Sequence, residues 1–123
     1  MNTEATPLRW EDLPQRLRDF AAERAWQPFH SPKNLASALI VEAGELLEHF
    51  QWLTEDQSRA LARPGPAKDA VAAEMADVLL YLVQLSTVLD IDLMDAARAK
   101  MALNAQKYPV DQARGHSRKY DTL

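Results

Sequence analysis

The sequence predicts an all-α fold, a four-helix bundle, on three observations. Apolar residues recur three and four apart in four separate segments, no stretch alternates apolar and polar residues as a half-buried strand does, and helix-start and helix-stop residues fall between the segments. With 123 residues the chain has room for one domain and one core. Apolar residues make up 47% and charged residues 26%, a globular composition that excludes a fibrous or wholly disordered chain.

The first helix is expected from about Glu11 to Arg24, with Leu13, Leu17, Phe20 and Ala21 on one face, ending near Trp26 and Pro28. The second opens at Ser31-Pro32, a side-chain cap followed by a proline in the first turn, where a missing N–H costs nothing, and runs to about Leu53. Residues 54 to 68 hold Pro64-Gly65-Pro66 among polar residues and read as a loop. The third helix, about Ala67 to Leu89, spaces Val71, Met75, Val78, Leu82, Leu85 and Leu89 as a seam for packing against other helices. Asp92 caps the fourth, which runs to about Lys107 before Pro109 stops it. Short links favour antiparallel neighbours. The expected domain is 1–108, followed by a basic tail, 109–123, that gathers Arg114, His116, Arg118 and Lys119 and is either flexible or ordered by an anionic ligand.

Composition narrows the chemistry. Without cysteine there is no disulfide, thiol nucleophile or thiolate metal site, so any metal is held by oxygen or by the three histidines. Met1 to Trp10 lacks a basic start followed by an apolar run, and the most apolar stretch, Val78 to Leu89, is shorter than the ~20 residues of a membrane helix and contains Gln84, Ser86 and Thr87. The expectation is a cytoplasmic protein with no membrane span. A net charge of −4 argues against a general affinity for nucleic-acid polymers, which rests on Lys and Arg neutralising phosphates.

Two acidic pairs stand out. On a wheel at about 100° per residue from Leu35, Leu39, Leu46 and Leu53 form an apolar stripe; Glu42 falls inside it at about −20° and Glu45 on its edge at about −80°. On the third helix, counted from Val71, Glu74 falls near −60° and Asp77 near −120°, flanking the seam. Glu48, near −140° on the second helix, reads as plain surface. Carboxylates three apart on a helix repel, and repel more when desolvated. A hard divalent cation relieves this directly, and oxygen ligands on rigid helices suit Mg²⁺ shared with substrate phosphates. The alternative is that the pairs are ordinary solvated carboxylates. A di-iron bundle additionally needs Glu-x-x-His motifs, and neither pair has one.

The segment Glu42-Ala-Gly-Glu45, followed by Glu74-Met-Ala-Asp77, resembles the paired motif of the all-α nucleotide pyrophosphohydrolases, the MazG-like superfamily. Phe20-Ala-Ala-Glu-Arg-Ala-Trp26, Phe29-His30-Ser-Pro-Lys-Asn34, Phe50-Gln-Trp52, Asp77-Val-Leu-Leu-Tyr-Leu82, Lys100-Met-Ala-Leu-Asn104, Lys107-Tyr-Pro109 and Ser117-Arg-Lys-Tyr120 are similar to its dCTP pyrophosphatase branch. The resemblance implies Mg²⁺-dependent attack of water at the α-phosphorus of a deoxynucleoside triphosphate, releasing pyrophosphate, in a bundle assembled as a homotetramer. It implies Glu42, Glu45, Glu74 and Asp77 as metal ligands and catalytic groups, with one carboxylate, Glu45 as a candidate, taking the water's proton. Lys100 and Asn104 are implied at phosphate and sugar, with Lys107 extending that stripe; Trp26 and Trp52 are implied at the base, and His30 and Tyr81 at the nucleotide. Each has a plainer reading as a solvated helix edge, a core-sealing aromatic or a loop histidine. One position departs: the family carries a histidine where Leu17 stands, which weakens the case for strict cytosine preference. The substrates to weigh are dCTP and 5-modified dCTP such as 5-methyl-dCTP, then dUTP or a broad range of noncanonical nucleotides. A non-catalytic helical oligomerisation module is the reading from another class, and the second apolar flank at Ile40 and Leu47 predicts self-association in either case.

Overall fold

The computed structural model describes residues 7–123, so the reading of Met1 to Trp10 falls partly outside the described residues. Every regular element among them is helical: α1 (Leu13–Glu23), α2 (Pro32–Glu48), α3 (Glu55–Ala60), α4 (Pro66–Val88), α5 (Leu93–Lys107) and α6 (Val110–Ala113), with 3-10 turns at Trp10–Asp12, Gln27–Phe29 and Tyr120–Thr122. The all-α class is as expected, and two short helices join the four long ones. The chain divides into two compact units, one ending at Asp90 and one running from Ile91 to Leu123. The division lies between α4 and α5, ahead of the composition change at residue 109.

In the first unit α2 packs along α4, and α1 packs on α4. Its core is Leu13 and Ala21 from α1, Leu35 from α2 (1% exposed) and Val83 from α4 (2% exposed). The seam expected on α4 is not the buried stripe, since Met75, Leu82 and Leu89 are exposed while Val83 and Ser86 are buried. Leu79, Leu80, Leu82, Val83 and Leu85 surround the helix, so its periodicity does not single out one face. Ser86 and Thr87 remain compatible with this environment because both hydroxyls donate to the Val83 carbonyl, at 2.7 and 2.9 Å. The whole of α4, 23 residues with a mean hydropathy of 1.4 over its most apolar window, is long and apolar enough to cross a membrane by length and composition. That corrects the sequence reading, which measured only Val78 to Leu89. Core helices of bundles pass the same test, and this one carries Glu74 and Asp77 mid-length beside α2.

Three boundaries differ from expectation for local reasons. The α-helical part of α1 starts at Leu13, after the 3-10 turn, because Pro14 has no N–H for the Trp10 carbonyl. The second helix ends at Glu48, not Leu53: His49 and Phe50 donate to Leu46 and Leu47, tightening the last turn, and the chain then extends at Thr54. The expected loop contains α3, built on a capping box in which Thr54 Oγ1 accepts from Gln57 N at 3.2 Å and Gln57 Oε1 accepts from Thr54 N at 2.9 Å. Gly65 then adopts φ 150° and ψ 178°, a combination essentially reserved for glycine, and Pro66 opens α4.

The other start signals behave as read. Ser31 Oγ accepts from Asn34 N at 3.2 Å, and Asp92 Oδ1 from Asp95 N at 3.0 Å. In the second unit the tail is not featureless. The Lys107 ammonium lies 4.6 Å from the Tyr120 ring centroid, Tyr108 meets the same ring edge-on, and His116 Nε2 donates to the Gln112 carbonyl while its Nδ1 accepts from Arg118 N.

Candidate active site

The acidic pairs converge because α2 and α4 lie side by side. Glu42, Glu45 and Glu74 each place a carboxylate oxygen within 4.8 Å of the others, and all three are half-buried. Glu42 Oε2 and Glu74 Oε2 are buried with no hydrogen-bond partner among the described residues. Asp77 stands outside that triplet and is exposed, yet its charge is felt at Glu42. The Glu42 carboxyl is raised from 4.5 to about 7 by its hydrogen-bonded contact with Glu45, then by desolvation, then by the charges of Glu45, Asp77 and Glu74. Glu48 is exposed, in keeping with its wheel position. The donor set is all oxygen, strongly anionic, and incompletely satisfied by the protein. It therefore fits a hard divalent cation.

Sequence reading missed His49, whose Nε2 lies 4.0 Å from Glu74 Oε1. Its signal was spacing: it follows Glu45 by four residues, one turn along the same face.

Beside the acidic cluster the first unit holds a cleft of about 530 Å³ walled by α1, by α4, and by Trp26 and His30 on either side of the Gln27–Phe29 turn. Trp26, His30, Asp77 and Tyr81 all line it, so four of the predicted residues share one cavity. The local chain explains their placement. α1 closes with a Schellman motif in which Trp26 N donates to Ala21 O at 2.9 Å and Ala25 N to Ala22 O at 3.1 Å, with Ala25 left-handed at φ 53°. That turn sets Trp26 edge-on to Phe20, at 5.8 Å between centroids, and to His30, at 6.3 Å. The Arg24 guanidinium covers Phe20 at 3.5 Å, and Asn34 Nδ2 ties the Phe29 carbonyl to the start of α2 at 3.0 Å. Asp77 and Tyr81, four apart on α4, face the same cavity, as does Leu17.

Trp52 is not in this cavity; it lies on the turn after α2 and is 86% exposed. Lys100 and Asn104 are exposed on α5, one turn apart in the second unit, and Lys107 is half-buried.

Residues 38–123 match the model of the MazG-like family. The chain belongs to the MazG-like family. It is 43% identical over 113 residues to dCTP pyrophosphatase 1 of Mus musculus and 43% identical over 119 residues to dCTP pyrophosphatase 1 of Homo sapiens, alignments that cover 92% of this chain and 66% of each relative. The chain thus spans just under two thirds of the length of those curated relatives. The crystal structure of a pyrophosphatase from Archaeoglobus fulgidus DSM 4304 superposes with a TM-score of 0.75 at 40% identity, covering 85% of this chain and 95% of that one. The family resemblance read from the acidic pairs is borne out, and the all-helical fold is shared with a solved pyrophosphatase.

Proposed function

We propose that this MazG-like chain is a nucleoside triphosphate pyrophosphohydrolase that converts dCTP, and 5-modified dCTP such as 5-methyl-dCTP, to the monophosphate and pyrophosphate. The observation that carries the reading is the Glu42–Glu45–Glu74 cluster, with two buried unpartnered oxygens, adjoining a base-sized aromatic cleft through Asp77. The identity to dCTP pyrophosphatases supports the substrate. Glu42, Glu45, Glu74 and Asp77 are the residues that would hold Mg²⁺, which when bound supplies charge neutralisation for the triphosphate and acidifies a coordinated water. Water oxygen bonds to the α-phosphorus as the α–β anhydride bond breaks, pyrophosphate leaves, and a carboxylate, which we assign as Glu45, takes the water's proton.

Trp26, His30 and Tyr81 form the wall against which a base and sugar rest. Trp52 offers an exposed ring for stacking, and Lys100 and Asn104 are assigned to phosphate and sugar on the family resemblance. We assign the chain to the cytoplasm, where the nucleotide pool is, and to a homotetramer; the exposure of Ile40 (70%), Leu47 and Met75 supports self-association. A second reading, toward dUTP or broad noncanonical nucleotides, draws on Leu17, which presents no hydrogen-bonding group to the cleft. An oligomerisation module is disfavoured because exposed acidic pairs would not leave buried unpartnered oxygens.

The test is a panel of triphosphates incubated with the full chain and Mg²⁺. The expected products are monophosphate and pyrophosphate, with dCTP or 5-methyl-dCTP turned over best and Glu42→Gln inactive at unchanged helicity. Orthophosphate as the first product, or turnover independent of divalent cation, refutes the mechanism.

A further inference from the structure

One polar side chain in the cleft, Gln84, holds an oxygen without a hydrogen-bond partner among the described residues. Gln84 lines the 530 Å³ cleft and also a second cavity of about 310 Å³ that shares Leu17, Asp19 and His30 with it. The unpartnered oxygen, Oε1, is buried. The neighbouring polar residues of α4 show the contrast, because Ser86 and Thr87 are both satisfied by the Val83 carbonyl. A buried acceptor without a donor carries the full desolvation penalty of that group, and because the Gln84 side chain lines the cleft, a turn of its amide toward the cavity lets a ligand's donor relieve it. The preceding residue, Val83, is 2% exposed, so α4 is anchored in the core at this point.

Position along α4 says which part of a ligand would bring it. Asp77, Tyr81 and Gln84 follow one another at intervals of four and three, so they form one ladder on the cleft face. Gln84 lies about 10 Å along the axis from Asp77, at a rise of about 1.5 Å per residue, a length comparable with that of a nucleoside. A triphosphate drawn to the acidic cluster therefore directs its base toward the Gln84 end. On the α1 side Leu17 contributes only methyl groups, while Arg16, Asp19 and Glu23 bring charged groups to the same wall. An amide oxygen can accept a hydrogen bond from the 4-amino group at the cytosine edge.

We propose that Gln84 is a substrate-binding residue that reads the base, its Oε1 accepting a hydrogen bond from the cytosine 4-amino group. This rests on the pyrophosphohydrolase reading above and adds a determinant of base preference.

The test is a cycle between enzyme and substrate. The full chain and Gln84→Met, an apolar replacement of similar length, are each assayed with Mg²⁺ on dCTP and on the deoxynucleoside triphosphate of pyrimidin-2-one, which is cytosine without its 4-amino group. Gln84→Leu serves as a second variant, and melting temperature and far-UV dichroism report folding. The wild type should lose about tenfold in kcat/KM when the amino group is removed, the scale of one hydrogen bond with its desolvation, and Gln84→Met should lose the same on dCTP. The analogue should be turned over no worse by the variant than by the wild type, because the two deletions remove one interaction. If the two losses multiply, Gln84 does not read the amino group, although the enzyme reading stands. If the wild type hydrolyses neither compound, the pyrophosphohydrolase reading fails and this assignment fails with it.

Discussion

Loading the acidic cluster with a divalent cation must expel a proton, and the amount follows from the Glu42 carboxyl. That group titrates at about 7 because Glu45, burial and the charges of Glu45, Asp77 and Glu74 all favour its neutral form. A group with that pKa is about nine-tenths protonated at pH 6, half at pH 7 and one-tenth at pH 8, and a cation requires it ionised, so binding should release about 0.9, 0.5 and 0.1 proton per site respectively. Mg²⁺ titration calorimetry in buffers of different ionisation enthalpy counts those protons. Apparent affinity should rise with pH up to about 7 and then level. Glu45→Gln removes the carboxylate whose hydrogen bond favours the neutral Glu42 most, together with one of the charges, so release at pH 7 should fall toward zero. A proton count near zero for the wild type at pH 6, together with pH-independent affinity, would refute the idea that Glu42 and Glu45 share a proton and a cation.

Two further outcomes follow from the same structure. In the metal-free protein the raised Glu42 carboxyl stabilises the fold below its ordinary value of 4.5, and that contribution is lost as pH rises toward about 7. Chemical denaturation with chelator present should therefore show stability falling across that window, with the fall reduced in Glu42→Gln. Leu35, 1% exposed in the core of the first unit, should cost about 2–5 kcal/mol when replaced by Ala, measured as a lower denaturation midpoint; a loss under 1 kcal/mol would mean that the core closes without it.

The legible parts of this fold were those with local chemistry. Ser31 and Asp92 announce their helices through a cap that the neighbouring backbone then uses, and the Glu42 wheel position foretells a shielded carboxylate because a residue inside an apolar stripe faces whatever the stripe faces. Thr54-x-x-Gln57 is equally local, a capping box obscured by the stronger turn signal of Pro64-Gly65-Pro66 in the same stretch. The buried face of α4 was not legible, since a helix apolar on all sides has no preferred side until its neighbours choose one. The gathering of Trp26, His30, Asp77 and Tyr81 required a long-range fact, the packing of α1 on α4, that no spacing rule contains. His49 fell between these cases: its spacing from Glu45 was visible, but its partner is on another helix.

Ala25 has a consequence for anyone who engineers this chain. It occupies the left-handed position that glycine usually fills at a helix end, where a side chain costs about 1–2 kcal/mol. Replacing it with glycine would release that strain, but would also enlarge the set of directions the following residue can take. The following residue is Trp26. A thermostabilising screen would therefore favour Ala25→Gly for a reason unrelated to catalysis, and the same variant would loosen the ring that forms one wall of the cleft. Stability gained at this hinge is best judged against substrate affinity in the same experiment.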